Sequence, residues 1–139
     1  MQQRFPPPLL VFDLDGTLAD TAGDLVASLN VILAREGLAG VEFARARAMV
    51  GGGARALIQS GLSVHGITVS EPRLDAMLAD FLAYYEAHVA DETALFPGVA
   101  RTARPEIRQP ECLANHGSRR SRRCRATVFQ KLLQKYPSI

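Results

Sequence analysis

The sequence predicts an α/β chain: one strand of the parallel-sheet kind, followed at once by an all-helical unit. Three observations carry this. Leu9-Leu10-Val11-Phe12 is an unbroken apolar run without alternation, as in a strand covered by helices on both faces. The run ends in Asp13-Leu14-Asp15-Gly16-Thr17, with two carboxylates at i and i+2. From Asp20 to Asp91 the apolar residues recur with helical spacing.

Pro6 to Pro8 belong to no regular element, so the strand begins near Leu9 and closes at Asp13, with Gly16 and Thr17 as the exit turn. Asp20 or Thr21 is placed to cap the next helix, and Thr21-x-x-Asp24 reads as a loose capping box. Leu25, Leu29, Ile32 and Leu33 form its stripe, and Gly37 stands where a glycine stop belongs. A short second helix fits Glu42 to Val50, ended by Gly51-Gly52-Gly53. A third runs from about Ala54 to Leu62. The fourth has Ser70 as cap and Pro72 in its first turn. Leu74, Met77, Leu78, Phe81, Leu82, Tyr85 and Val89 mark one face of it. Glu92 to Val99 reads as a loop.

A chain of 139 residues has the length of one domain and can bury a real core. No apolar run approaches the ~20 residues of a bilayer span, and MQQRFPPPLL has none of the marks of a secretory signal, so the expected location is the cytoplasm. The net charge of +2 hides a split. Residues 1–100 hold 6 Lys+Arg against 12 Asp+Glu, whereas residues 101–139 hold 10 against 2. Cys112 and Cys124, with His116 between them, match neither a zinc spacing nor a disulfide framework.

Residues i and i+2 of a strand share a side, so Asp13 and Asp15 converge at its carboxyl end, where open parallel sheets place ligands. Like charges so close call for a cation, and a hard divalent ion such as Mg²⁺ suits oxygen donors. One carboxylate is then suited to attack phosphorus and the other to move a proton. Gly16 leaves room for a phosphate to approach the turn. A calcium hand is excluded by Leu18, which stands where its sixth-position glycine is required. A plain turn would not explain paired acids at the end of a doubly buried strand.

FDLDGTLADT resembles the first motif of the haloacid dehalogenase superfamily. The helix-rich insertion after it, with VGGGARALI (Val50 to Ile58), FLAYYEAHVAD (Phe81 to Asp91) and LFPGV (Leu95 to Val99), resembles its phosphoglycolate phosphatase group, over about residues 9–99. The resemblance implies a Rossmann-like core carrying a helical cap, and a phosphomonoester hydrolase using Mg²⁺. It makes Asp13 the nucleophile that forms an aspartyl-phosphate and Asp15 the general acid/base. Mg²⁺ would lie on the Asp13 carboxylate and the Asp15 main-chain carbonyl. Gly16 and Thr17 would lie against a small phosphorylated substrate such as 2-phosphoglycolate. Gly51, Gly52 and Gly53 would form a cap loop facing it, with a plain helix stop as the competing reading. Arg55 would meet an anionic group or serve as a solvated helix position. Asp20 is expected to cap a helix rather than touch metal, and His65 and His88 to be surface or packing residues without a partner acid.

The expected organisation is therefore a core strand and catalytic loop at 1–19, a mobile helical cap at 20–91, a return linker at 92–100 and a basic tail at 101–139. The family's later motifs are a strand ending in Ser or Thr, a Lys and an acidic pair. None is recognisable after Val99 in the Arg-rich, Pro-broken tail, which reads as non-native, out-of-frame or disordered sequence. The expectation is that only the first core strand is present and that this chain is incomplete and inactive. An alternative function is that Arg119-Arg120-Ser121-Arg122-Arg123 and Arg125 bind nucleic acid or an acidic partner. Only Phe129 and Tyr136 are available there for base stacking, which weighs against nucleic acid.

Overall fold

The computed structural model describes residues 15–99. The expected strand Leu9–Asp13 and the tail 101–139 lie outside the described residues. Within them the order is β1 (Ala19–Asp20), α1 (Ala22–Arg35), α2 (Phe43–Arg47), α3 (Ala54–Val64), α4 (Glu71–His88) and β2 (Ala94–Leu95). The described part is thus mostly helical, with one small two-stranded sheet. The strands are antiparallel, Ala19 opposite Leu95 and Asp20 opposite Ala94. The segment 92–99, expected as a plain loop, therefore contributes a strand. Its pairing partner lies so far back along the chain that no local pattern announces it.

Helix α1 forms where expected, but its start is built differently. Thr21 occupies the N-cap position without a side-chain capping bond. Its hydroxyl is used elsewhere, and the Asp24 carboxylate turns toward the end of the helical unit, so the capping box does not form. Asp20 supplies the local contact instead, Oδ1 accepting from the Ala22 amide at 3.3 Å. Val26, Leu29, Ile32 and Leu33 are buried, while Leu25, expected in the stripe, is only partly so. Gly37 adopts φ +73°, the left-handed stop that the sequence indicates.

Helix α2 is shorter than the expected Glu42–Val50. Glu42 is its N-cap, its carboxylate accepting from the amides of Ala44 and Arg45. Met49 and Val50 then tighten into i→i−3 bonds onto Ala46 and Arg47 as the chain enters the glycine triplet. Helix α3 instead runs past the expected Leu62 to Val64 and is stopped by Gly66 at φ +68°. There the Gly66 amide bonds to Ser63 and the Ile67 amide to Leu62. Ser70 sits at the N-cap of α4 with no side-chain bond, and Pro72 lies in the first turn.

The core lies where α4 packs between α1 and α3. Leu74, Met77, Phe81 and Tyr85 of α4 meet Leu29, Ile32 and Leu33 of α1 and Leu57, Ile58 and Leu62 of α3 in one buried cluster. Burying each such side chain contributes about 1.5–3 kcal/mol. The rings of Phe81 and Tyr85 stack along the same helix face at 6.1 Å. Gly61 lets α3 approach α1 closely: a Cβ there would stand 2.9 Å from Cδ1 of Leu29. The stretch between α1 and α2 is fixed by Asn30, whose side-chain amide brackets Val41, donating to its carbonyl at 3.1 Å and accepting from its amide at 2.8 Å.

Candidate active site

Asp15 opens the described chain, and Gly16 turns it sharply at φ +76° so that its amide donates to the Ala19 carbonyl at 2.8 Å. Asp15 and Ala19 form a parallel bridge across this turn. The chain therefore doubles back within four residues and delivers Thr21 beside Asp15. Thr21, only 2 % exposed, donates its hydroxyl to Oδ1 of Asp15 at 3.0 Å. A half-buried carboxylate is thus held by a buried hydroxyl at the foot of the helical unit. The Gly16 amide is engaged within the turn by the Ala19 carbonyl. Gly16 itself is exposed, and no atom lies within 4 Å of where its Cβ would be. Thr17 is exposed on the same turn. Asp13 lies outside the described residues.

Asp20 does a second job. Its Oδ2 accepts from the Arg47 guanidinium at 3.0 Å, tying the last residue of α2 to β1. The same guanidinium lies 5.9 Å from the centre of the Phe43 ring. The tether holds the chain that runs into Gly51–Gly53 onto the segment that follows the turn at Asp15 and Gly16. All three glycines are exposed, Gly51 at φ +129° and Gly53 at φ +86° as the N-cap of α3. These backbone states favour glycine, so the triplet shapes a turn as well as ending a helix.

Arg55 is engaged by α4. Its guanidinium is paired with Glu71 at 2.9 Å and with Asp75, pinning α3 to α4. His88, expected to lack a partner acid, has one: Nδ1 lies 3.1 Å from Asp91 Oδ2, and its ring stacks on Tyr84 at 4.1 Å. His65 is part-buried, its Nε2 without a protein partner.

Sequence reasoning missed Thr21, Arg47 and Asp24 as positioning groups. Thr21 carries a local signal, since it closes the quoted FDLDGTLADT run. Arg47 and Asp24 carry none, because their partners lie far along the chain.

A hard cation is compatible with this turn, because Asp13 and the Asp15 main-chain carbonyl offer only oxygen donors. Among the described residues there is no group of three or more His, Cys, Asp or Glu able to hold a metal. No helix among them is long and apolar enough to cross a membrane.

Residues 10–104 match the family model described as haloacid dehalogenase-like hydrolase. The chain is 49% identical over 90 residues to a phosphoglycolate phosphatase of Caulobacter vibrioides, covering 65% of this chain and 38% of that protein. It is 39% identical over 102 residues to a phosphoglycolate phosphatase of Agrobacterium fabrum, covering 73% and 44%. A crystal structure described as a predicted phosphoglycolate phosphatase from Haemophilus somnus superposes with a TM-score of 0.58 at 26% identity, covering 65% of this chain and 42% of that one. The chain spans about two fifths of the length of the curated relatives it matches. With the Asp-x-Asp-Gly-Thr turn, the helical unit set directly behind it and a family match over most of the sequence, the chain belongs to the haloacid dehalogenase-like hydrolases.

Proposed function

We propose that residues 9–99 serve a phosphomonoester hydrolase of the phosphoglycolate phosphatase type, acting in the cytoplasm on a small substrate such as 2-phosphoglycolate. The observation that carries this reading is the Thr21–Asp15 hydrogen bond, which holds a carboxylate ready at the turn after the opening acid. An oxygen of the Asp13 carboxylate attacks phosphorus, the bond from phosphorus to the alcohol oxygen breaks, and an aspartyl-phosphate forms. Asp15 gives its proton to the departing oxygen, then takes one from the water that attacks the aspartyl-phosphate. Phosphate leaves and Asp13 is restored. Mg²⁺, held by the Asp13 carboxylate and the Asp15 main-chain carbonyl, would neutralise charge on the phosphoryl oxygens.

In this reading the helical unit closes over the substrate and excludes water. Gly16 and Thr17 leave space for the phosphoryl group, and Gly51–Gly53 face the organic end. Arg55 keeps α3 on α4 and so holds the glycine turn in place. Phosphoryl transfer also relies on positive groups around the equatorial oxygens. The Lys, the Ser or Thr and the acidic pair of the family are not recognisable in residues 101–139. We therefore propose that the 139-residue chain by itself releases no phosphate above background.

The test is a chimera in which residues 10–99 replace the matching segment of the Caulobacter enzyme, assayed for Mg²⁺-dependent phosphate release from 2-phosphoglycolate. The expected result is turnover that falls to background with Asp13→Asn or Asp15→Asn. A folded chimera that is inactive, or one indifferent to Asp13→Asn, would overturn the reading.

A further inference from the structure

Asp24 is a carboxylate in the first turn of α1, only 3 % exposed, and nothing in the proposed chemistry uses it. It is met by donors from the far end of the helical unit. The amides of Ala90, Glu92 and Thr93 donate to it at 2.8, 2.7 and 3.1 Å, and the Thr93 hydroxyl donates as well. Ala90 takes φ +74°, unusual for a residue with a side chain, as the chain turns toward these contacts. Gly23 beside Asp24 receives the same segment, for a Cβ there would stand 2.8 Å from the Cβ of Glu92. Two consecutive residues of α1 are thus shaped to seat the chain as it leaves α4.

We infer that Asp24 is a positioning residue that makes residues 90–93 part of the rigid helical unit. It thereby confines the swivel between that unit and the catalytic turn to residues 16–20 and 94–98. Those two stretches are joined lightly: two residue pairs of ribbon and one further bond from the Phe96 amide to the Leu18 carbonyl at 3.1 Å. They are bounded by Gly16 at φ +76° and Gly98 at φ +92°. Several amides and a hydroxyl donating to one buried carboxylate hold more tightly than this ribbon of two residue pairs, of which only Ala19 is buried.

The inference rests on reading the helical unit as a closing cap. Its test needs no turnover, so a failed phosphatase assay and a misplaced boundary are told apart. Amide hydrogen exchange would be followed by NMR on the whole 139-residue chain. The amides of Ala90, Glu92 and Thr93 are expected to exchange as slowly as those of Leu29 and Phe81. Those of Gly16 and Phe96 should be faster by about tenfold or more. Asp24→Asn should speed exchange at 90, 92 and 93 by roughly 10- to 100-fold while Ile58 and Leu62 keep their rates. Exchange at 90–93 as fast as at Gly16 in the unmodified chain would overturn the inference. So would an Asp24→Asn variant that loosens α3 equally, as general destabilisation would. Should that variant not fold, Thr93→Val removes only the hydroxyl donor. It is expected to speed exchange at Glu92 and Thr93, and unchanged rates there would overturn the inference.

Discussion

Thr21 and Asp15, six residues apart, are joined by a hydrogen bond of 3.0 Å in which a nearly buried hydroxyl holds a carboxylate at the edge of solvent. The contact exists because the chain folds back on itself between them, through the Gly16–Ala19 turn. In the chimera, Thr21→Val is expected to lower kcat by about tenfold with little change in KM, the loss of one hydrogen bond to a charged group. Thr21→Ser should restore most of it. Steady-state assays with 2-phosphoglycolate decide this, and equal kcat in all three would show that the hydroxyl does not orient Asp15.

The close approach of α1 and α3 rests on Gly61. Its substitution by Ala places a Cβ 2.9 Å from Cδ1 of Leu29 and 3.4 Å from Cδ1 of Leu33, both fully buried. Helix propensity favours Ala by about 1 kcal/mol, whereas overpacking costs about 1–3 kcal/mol. Gly61→Ala should lose about 1 kcal/mol in urea denaturation. A gain would mean that the two helices have room to part.

The glycine triplet separates by backbone. Gly53 combines φ +86° with ψ 167°, a region other residues avoid, and Gly53→Ala is expected to cost about 1–3 kcal/mol. A midpoint within a few tenths of a degree of the parent in a thermal melt would show that the turn relaxes freely.

Glu42 provides a pH-dependent cap. The amides of Ala44 and Arg45 hold its carboxyl below the usual glutamate range. A depressed folded-state pKa stabilises α2 above the carboxyl's unfolded pKa, and this stabilisation is lost as pH falls through the folded value. An NMR titration should show the Ala44 and Arg45 amides moving together at a midpoint below that of an unstructured glutamate. Glu42→Gln should abolish the transition, and a midpoint at or above the ordinary value would exclude the cap.

What was legible in the sequence follows from the range of the interactions. Helix α4 could be read from Ser70, Pro72 and the spacing of Leu74, Met77, Phe81 and Tyr85, because every one of those signals acts within a turn or two. Gly37 likewise stops α1 by its own conformation. The ribbon was not legible, since a strand of two residues has no period and Ala19 pairs with Leu95 across the whole length of the helical unit. Asp24 shows the same limit. Its position invited a capping role, and its donors come from residues 90–93. At the candidate site the acids and glycines could be read as a motif, whereas Thr21 and Arg47 gain their roles only from the fold.

Because Ala19 stands directly opposite Leu95, the polypeptide departs and comes back at almost the same point in space. A segment with that geometry asks for no rearrangement of whatever surrounds its two attachment points. It can be lengthened, shortened or exchanged for another of different shape while the ends keep their spacing. On the proposed function, such an exchange would alter what meets the substrate while the turn at Asp15 kept its place in the chain.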